Sequence, residues 1–590
     1  MFTTRPEITG TFGVTATTHW LATAVGQAVL ERGGNAFDAA VAAAFTLQVA
    51  EPHLNGPGGD APIIIHDAKT GKQRVICGQG PSPAAATLEA FAALDLDLIP
   101  ATGFLPAVVP GSFGAWCLLL RDWGTWELTD VLAFAIGYAE HGVPLVPRVP
   151  ATIESVRPLF LEEWHSSAEI WLPGGQVPAV DKPFANPTLA QTWKRVLREA
   201  GGPSREARIE AALHAWYQGF VAEAIGRFCE TEALDVSGRR HRGLLTAQDL
   251  AEWEPTVEDP LTYDYAGHTV LKCGPWSQGP VFLQQLALLA GYDIGAMDPV
   301  GADFVHTVVE CMKLAYADRE AFYGDPAFSD VPMQTLLSPA YNDERRKLVS
   351  AEASFDLRPG IVGNTSPWVD HEAASRVEYL TRAPGAGEPT VARMGVIGAD
   401  TVHIDVIDRW GNMVSATPSG GWLQSSPAVP GLGFCLGTRG QMFWLRPDLP
   451  NSLLPKKRPR TTLSPSMALK DGKAWMAFGT PGGEQQDQWS PIFFLRRVHH
   501  KLGIQAAIDM PSFHTEHWPS SFWPRAARPG KLVLEGRFSL SVRDELARRG
   551  HAVTMGEDWS EGRLSAADLV DGVMHTGANP RGMQGYAAGR

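Results

Sequence analysis

Apolar and polar positions alternate along the chain in a way that changes character twice. From residue 19 the segment HWLATAVGQAVLERGGNAFDAAVAAAFTLQVA repeats at helical spacing. It predicts a helix ended by Gly33 and Gly34, then a second, Ala-rich helix capped by Asn35. A Gly-rich turn at 56–59 leads into a strand at 62–66 and a hairpin turn at 69–71. The stretch from about 110 to 330 is mostly helical in pattern. It includes Pro187–Glu199, where Asn186 caps and Pro187 suits the first helical position, and Ala302–Phe322. Residues 352–399 lose this periodicity, and 383–400 read as a linker of small residues and turn formers. Then TVHIDVI, 401–407, places apolar residues at 402, 404 and 406, which predicts a half-buried strand beginning at Thr401. A turn at 408–412 and a returning strand at 413–417 follow. Further strands are expected at 465–470 and 473–478 around an Asp471-Gly472 turn, and helical signals return over 503–550. No internal repeat of solenoid length is present.

Composition narrows the classes. In 590 residues, 44% are apolar, enough for a large core. The 60 Gly and 45 Pro point to many ordered turns, since no polar low-complexity tract accompanies them. The formal net charge is −14, broken only by a short basic run at 456–460 that reads as a solvated loop. A nucleic-acid partner is therefore not expected. No basic start followed by an apolar run opens the chain, and no apolar run reaches 18 residues. Neither a secretory signal nor a membrane span is expected. Six scattered cysteines without a C-x-x-C pair argue against zinc and against a disulfide scaffold, and point to a reducing, cytoplasmic setting. No cofactor or metal is called for.

Chemistry enters at Thr401. A Thr hydroxyl becomes a nucleophile when a base lies within hydrogen-bond reach, and a free α-amine on the same residue is such a base. That amine ionises near neutrality, as a general base should. Cutting the chain between Asp400 and Thr401 would create it. Taken alone, a Thr in a strand is an ordinary propensity choice. Two other segments raise its interest. KRPRTTLSP, 457–465, sets the adjacent hydroxyls Thr461 and Thr462 side by side, suited to holding a substrate. GTPGG, 479–483, offers backbone N–H groups at a turn that can stabilise an oxyanion. The glycines at 56–59 lack the Lys-Ser/Thr of a phosphate loop and precede a strand, so tight backbone packing is their expected role.

Together with GGNAFDAAVAAAF (33–45), EPHLNGPGGDA (51–61), VPG (109–111), LTAQDLAEWEP (245–255), YADREAFYGDP (316–326), TVHIDVIDRWGNMVSAT (401–417) and FHTEHW (513–518), these segments resemble the gamma-glutamyltransferase family of N-terminal-nucleophile hydrolases nearly end to end. The resemblance implies an α/β fold, a four-layer αββα sandwich built jointly by a large fragment, 1–400, and a small one, 401–590. It implies autocleavage before Thr401, an acyl-enzyme on Thr401, assistance from Ser419, an oxyanion hole at Gly482 and Gly483, and substrate contacts from Thr461 and Thr462. The H-x-x-H pair His514 and His517 is an ordinary feature of the resemblance and no metal site. The implied partners are a small amide substrate, the two fragments with each other, and further copies of the chain.

The chain also departs from that family. Its glutamate-binding Arg falls at Cys77, its amine-binding Asp at or near Gln441, and a substrate-binding Asn at Gly421. A bidentate Arg–carboxylate contact is not replaced by neutral groups. The expected activity is hydrolysis of an acyl amide other than a classical gamma-glutamyl compound, with oxamate-type amidohydrolases and cephalosporin or glutaryl acylase-like members as analogues. A genuine gamma-glutamyltransferase is the alternative, and an uncleaved binding protein the second alternative. Arg439 is a candidate for recognising a substrate carboxylate, and equally a candidate for a structural ion pair.

Overall fold

The computed structural model describes residues 2–180, 182–363, 367–381, 401–582 and 584–590. Asp400 and the linker at 383–400 lie outside the described residues.

Local rules act as expected near the N-terminus. Trp20–Glu31 is helical and closes on Gly33, whose φ of 92° is glycine territory, with Gly34 N–H returning to Val29 C=O at 3.0 Å. Asn35 and Asp38 form a reciprocal capping box on Ala36–Ala50. Every residue of that helix is buried, because alanine lets neighbouring helices and a sheet approach it from all sides. Helices Pro187–Glu199 and Ala302–Phe322 span the predicted ranges, the first capped by Asn186. Two antiparallel hairpins that the helical reading of 110–330 passed over, at 232–242 and 261–272, interrupt the helices.

Two seven-stranded antiparallel sheets organise the molecule. One runs in the order Tyr586–Gly589, Gly13–Thr17, Ile404–Asp408, Met413–Ala416, Ala61–Asp67, Lys72–Gly78, Thr256–Glu258. The other runs Ile8–Gly10, Val573–Ala578, Ser565–Val570, Lys473–Gly479, Ser466–Lys470, His268–Lys272, Leu261–Tyr265. Val14, Ile64 and Met413 of the first pack against Leu271, Met467 and Ala567 of the second. The opposite face of the first sheet (Ile63, Ile65, Ile404, Val406) is covered by the helices of residues 20–50 and 112–123. That of the second (Val270, Met476, Phe478) is covered by helices Pro280–Leu289, Ala302–Phe322 and Gln486–Val498.

This packing corrects the half-buried reading of 401–407. All of Ile404–Asp408 is buried, since the residues between the apolar ones face the second sheet and not solvent. Regular pairing starts at Ile404, and Thr401 joins the sheet through an isolated antiparallel bridge to Ser419. Residues 503–550 are also less helical than their pattern suggested. Helices Ile504–Asp509 and Leu540–Arg548 flank strands Phe513–Thr515 and Lys531–Leu534, part of a three-stranded sheet completed by Ala552–Met555. Strands this short carry too few alternations to register against a helical period. The six cysteines are buried free thiols. Among the described residues no helix is long and apolar enough to cross a membrane.

Candidate active site

Thr401 is 1% exposed and stands just ahead of strand Ile404–Asp408 of the first sheet. Its Oγ1 is 3.3 Å from Ser419 Oγ and 3.5 Å from Gly482 C=O. Ser419 Oγ is in turn 3.4 Å from Leu54 C=O and receives Trp422 Nε1–H at 3.2 Å. The hydroxyl pair therefore sits on a row of cross-strand neighbours, Thr401 opposite Ser419 and Ser419 opposite Asp60.

Glycines make that row possible. Asp60 and Ser419 exchange backbone hydrogen bonds of 2.8 and 3.0 Å, which brings 56–59 against 419–421 and 435. A Cβ on Gly59 would lie 2.1 Å from Ser419 C=O, and one on Gly58 2.0 Å from Cys435 C=O. The tight-packing reading of this segment is what the structure displays.

Behind Thr401 the interior is polar. His403 is 2.9 Å from Thr417 Oγ1 and 3.0 Å from Asp405, whose other oxygen accepts from Ser565 at 2.8 Å. Burial raises the Asp405 carboxyl above its ordinary range, with His403 opposing. These bonds tie the strand of Thr401 to the segment that delivers Ser419. Gly479 leaves room for the imidazole, since a Cβ there would sit 2.3 Å from His403 Cε1.

The GTPGG segment closes the other side. Gly482 adopts φ 122°, a conformation side chains resist. Its C=O accepts from Gln486 Nε2, and Gly483 C=O accepts from Gln278 Nε2 at 3.1 Å. Arg319, fully buried, donates to Gln278 Oε1 at 2.9 Å and to Glu320 at 2.7 Å, anchoring the loop from behind. With both carbonyls turned toward these donors, neither the Gly482 nor the Gly483 N–H donates to another group among the described residues.

Thr461 is fixed through its backbone, donating to Trp276 C=O at 2.9 Å and accepting from Gln278 N–H at 2.8 Å. Thr462 Oγ1 is buried and has no hydrogen-bond partner among the described residues. Arg439 donates from Nε to both oxygens of Asp60, at 3.2 and 3.0 Å. Burial raises the Asp60 carboxyl, and Arg439 opposes that shift. The Gln441 amide is engaged by protein at both ends, with Nε2 on Thr438 at 3.1 Å and Oε1 receiving Trp523 N–H at 3.0 Å. Cys77 lies between the sheets with Arg458 3.3 Å from its sulfur, and burial pushes its thiol up to about 11. His514 pairs with Glu561 at 2.6 Å while His517 accepts from Gly530 N–H at 3.0 Å, so the two rings serve separate contacts. Among the described residues no cluster of metal-ligating side chains forms.

Sequence reasoning missed Asp60, Trp422, Gln278 and Arg319. Asp60 and Arg319 stood inside motifs quoted above, but their partners are hundreds of positions away or in other elements, and spacing carries no trace of them.

Two packed sheets thus set a buried hydroxyl pair beside a glycine loop whose amides donate to no group among the described residues. The chain belongs to the gamma-glutamyltranspeptidase family, whose profile matches residues 22–589. It is 30% identical to the acylase ACY 1 proenzyme of Pseudomonas sp. (strain V22), over 97% of this chain and 93% of that one. It is 31% identical to the oxamate amidohydrolase proenzyme of Klebsiella pneumoniae, over 98% of each. A solved threonine-to-alanine variant of LmbA2991 superposes with a TM-score of 0.95 at 54% identity, covering 100% of both chains. The protein is thus a gamma-glutamyltransferase-like enzyme, an amide hydrolase or acyltransferase related to the acylases.

Proposed function

We propose that the chain is a self-processing amide hydrolase with Thr401 as its nucleophile, acting on an acyl amide other than a classical gamma-glutamyl compound. The observation that carries this reading is the hydroxyl pair: Thr401 Oγ1 3.3 Å from Ser419 Oγ, at the rim of the Gly482–Gly483 loop. Cleavage of the Asp400–Thr401 bond leaves fragments 1–400 and 401–590 joined in one four-layer αββα sandwich and frees the Thr401 α-amine. That amine takes the Oγ1 proton as the oxygen attacks the amide carbonyl. The Gly482 and Gly483 N–H groups receive the negative oxygen. As the intermediate collapses, the α-ammonium gives that proton to the leaving nitrogen, which departs as the free amine, and an ester remains on Thr401 Oγ1 with the α-amine neutral again. Water, activated by the same α-amine, adds to the ester and releases the acid. Ser419 holds the Thr401 hydroxyl in line, and Thr461 and Thr462 flank the substrate. The names of the relatives, both proenzymes, support the processing step. The neutral residues at Cys77, Gly421 and Gln441 support a non-glutamyl acyl group.

The experiment is a denaturing gel beside an activity screen. Purified wild type is expected as two fragments, and Thr401→Ala as one intact band without turnover. Wild type that stays intact on long incubation, with no turnover of any amide, rejects the reading. Strong saturable turnover of gamma-glutamyl-p-nitroanilide, exceeding that of simple acyl anilides, turns the assignment to a gamma-glutamyltransferase.

A further inference from the structure

We propose that Glu51 is the acid of self-processing: it hands a proton to the Thr401 nitrogen as the Asp400–Thr401 bond breaks. This rests on the reading of Thr401 as the self-processing nucleophile.

The direction of that nitrogen follows from the sheet. Peptide groups along a strand point alternately to its two neighbours. Val402 N–H donates to Pro418 C=O at 3.1 Å, toward the segment of Ser419. The groups of Thr401 and His403 therefore point to the opposite edge, where His403 C=O accepts from Thr18 N–H at 3.2 Å. On that edge Ile404 is paired with Thr17, so Thr401 falls level with Trp20. The neighbouring chain has already left the sheet there. His19 caps helix Trp20–Glu31, and Trp20 N–H is given to Gln584 C=O at 3.1 Å. Past Thr18 the Thr401 nitrogen faces side chains in place of a strand.

Glu51 occupies that edge. Thr18 Oγ1 donates to its Oε2 at 2.7 Å, and Gln584 Nε2 donates to its Oε1. From the other direction, Leu54 N–H donates to Glu51 C=O at 2.9 Å. Leu54 C=O in turn lies 3.4 Å from Ser419 Oγ, the neighbour of Thr401 Oγ1. Glu51 is thus tied both to the strand end that the nitrogen faces and to the turn that the hydroxyl pair touches. The other buried carboxyls nearby are committed elsewhere. Asp405 bonds His403 and Ser565, and Asp60 bonds Arg439 on the far side of Ser419.

An amide nitrogen leaves only once it gains a proton, and a positioned acid supplies it. Glu51 is 0% exposed, and burial pushes its carboxyl up to about 7, against the pull of Thr18, Arg148, Arg563 and Gln584. A large share of molecules therefore carries that proton at neutral pH. Arg148 and Arg563 are the charged groups that face it. His53 adjoins both arginines and His19, and burial holds the two rings neutral.

In the step itself, Thr401 Oγ1 adds to the Asp400 carbonyl carbon and its proton passes to water. The C–N bond breaks as the Glu51 proton goes to nitrogen, which leaves an ester on Oγ1 and the free α-amine. Glu51 regains a proton from water. A further water then splits the ester into the Asp400 carboxylic acid and the Thr401 hydroxyl.

The test times cleavage of the full chain, made by cell-free synthesis with a pulse of label, on denaturing gels from about pH 6 to about pH 8.5. The wild-type rate is expected to fall by about tenfold or more across that range as Glu51 loses its proton. Glu51→Gln is expected to cleave at least about tenfold more slowly at pH 6 and to lack that fall. Its melting temperature is read in a Thr401→Ala background beside Thr401→Ala alone, since neither chain cleaves. A folded Glu51→Gln chain that cleaves within tenfold of wild type overturns the proposal. So does a wild-type rate that holds or rises toward pH 8.5. Where Glu51→Gln does not fold, the wild-type profile decides alone. If wild type never cleaves, the Thr401 reading has failed and this inference falls with it. Wild type that cleaves beside an equally quick Glu51→Gln chain sinks this inference and leaves the Thr401 reading standing.

Discussion

At the residue scale, the site separates hydroxyls the fold uses from those it leaves open. Ser419 Oγ is bonded on several sides, whereas Thr462 Oγ1, 1% exposed, bonds to nothing among the described residues. A buried donor without a partner costs about 1–3 kcal/mol. Replacing Thr462 by valine removes the hydroxyl and keeps the branched shape. Thr462→Val is therefore expected to melt at or slightly above the wild-type temperature, while KM for the amide substrate rises several-fold. A drop in melting temperature with unchanged KM would show that the hydroxyl serves the fold.

At the scale of elements, the nucleophile row depends on backbones that touch. The segment 56–59 meets Ser419 and Cys435 where no Cβ fits, and the obstructing atoms are carbonyl oxygens held in place by the row itself. Gly59→Ala must push the Ser419 strand away and is expected to cost about 3 kcal/mol or more, or to prevent folding. Gly71 makes a useful contrast, with φ 69° but nothing within 4 Å of an added Cβ. Gly71→Ala should cost only about 1 kcal/mol, from the left-handed backbone. Chemical denaturation of the two variants measures the difference, and similar losses would contradict the packing argument. The same elements show how far local pattern carries. The Asn35 cap, the Gly33 terminator and the Asp471-Gly472 turn were readable because their partners lie within five residues. The strands at 513–515 and 531–534 were not, because their pairing is decided by residues well outside any local window.

At the scale of the whole molecule, buried ionisable groups set the pH range of stability. Desolvation holds His53 and His551 down to about 3 and His19 to about 4. Below about pH 6.5 the unfolded chain takes up protons at these rings that the folded one refuses, so stability falls with acid. Glu51 opposes this in part. Burial pushes it up to about 7, so its contribution favours the folded state in acid and is lost as pH rises from about 4.5 to 7. At His514, burial pulls the pKa down, but Glu561 and Glu516 outweigh it and hold the ring up to about 9. The stability from that pair is complete below about pH 6.5 and lost as pH rises through 9. His517, also held down to about 3 by burial, joins the acid-side histidines, while the Asp60 and Asp405 carboxyls, which burial raises, act with Glu51. The melting temperature is expected to peak near pH 6–7 and to fall by several degrees at pH 4.5 and at pH 9.5. A flat profile across that range would refute this account.

The sequence by itself determined the nature of the chain: its helices and caps, the strand after the linker, and the motifs that carry the family. These follow from short-range sterics, hydrogen bonding and residue types at close spacing, all present in a linear text. The site was only partly of that kind. Thr401 and Ser419 are 18 positions apart and already suggested one hairpin. Gly482 lies 81 positions from Thr401, and Asp60 lies 379 from Arg439. Only the packing of two sheets brings those pairs together. Only burial, which belongs to the whole fold, leaves the Thr462 hydroxyl and the Nη1 and Nη2 of Arg439 without partners among the described residues.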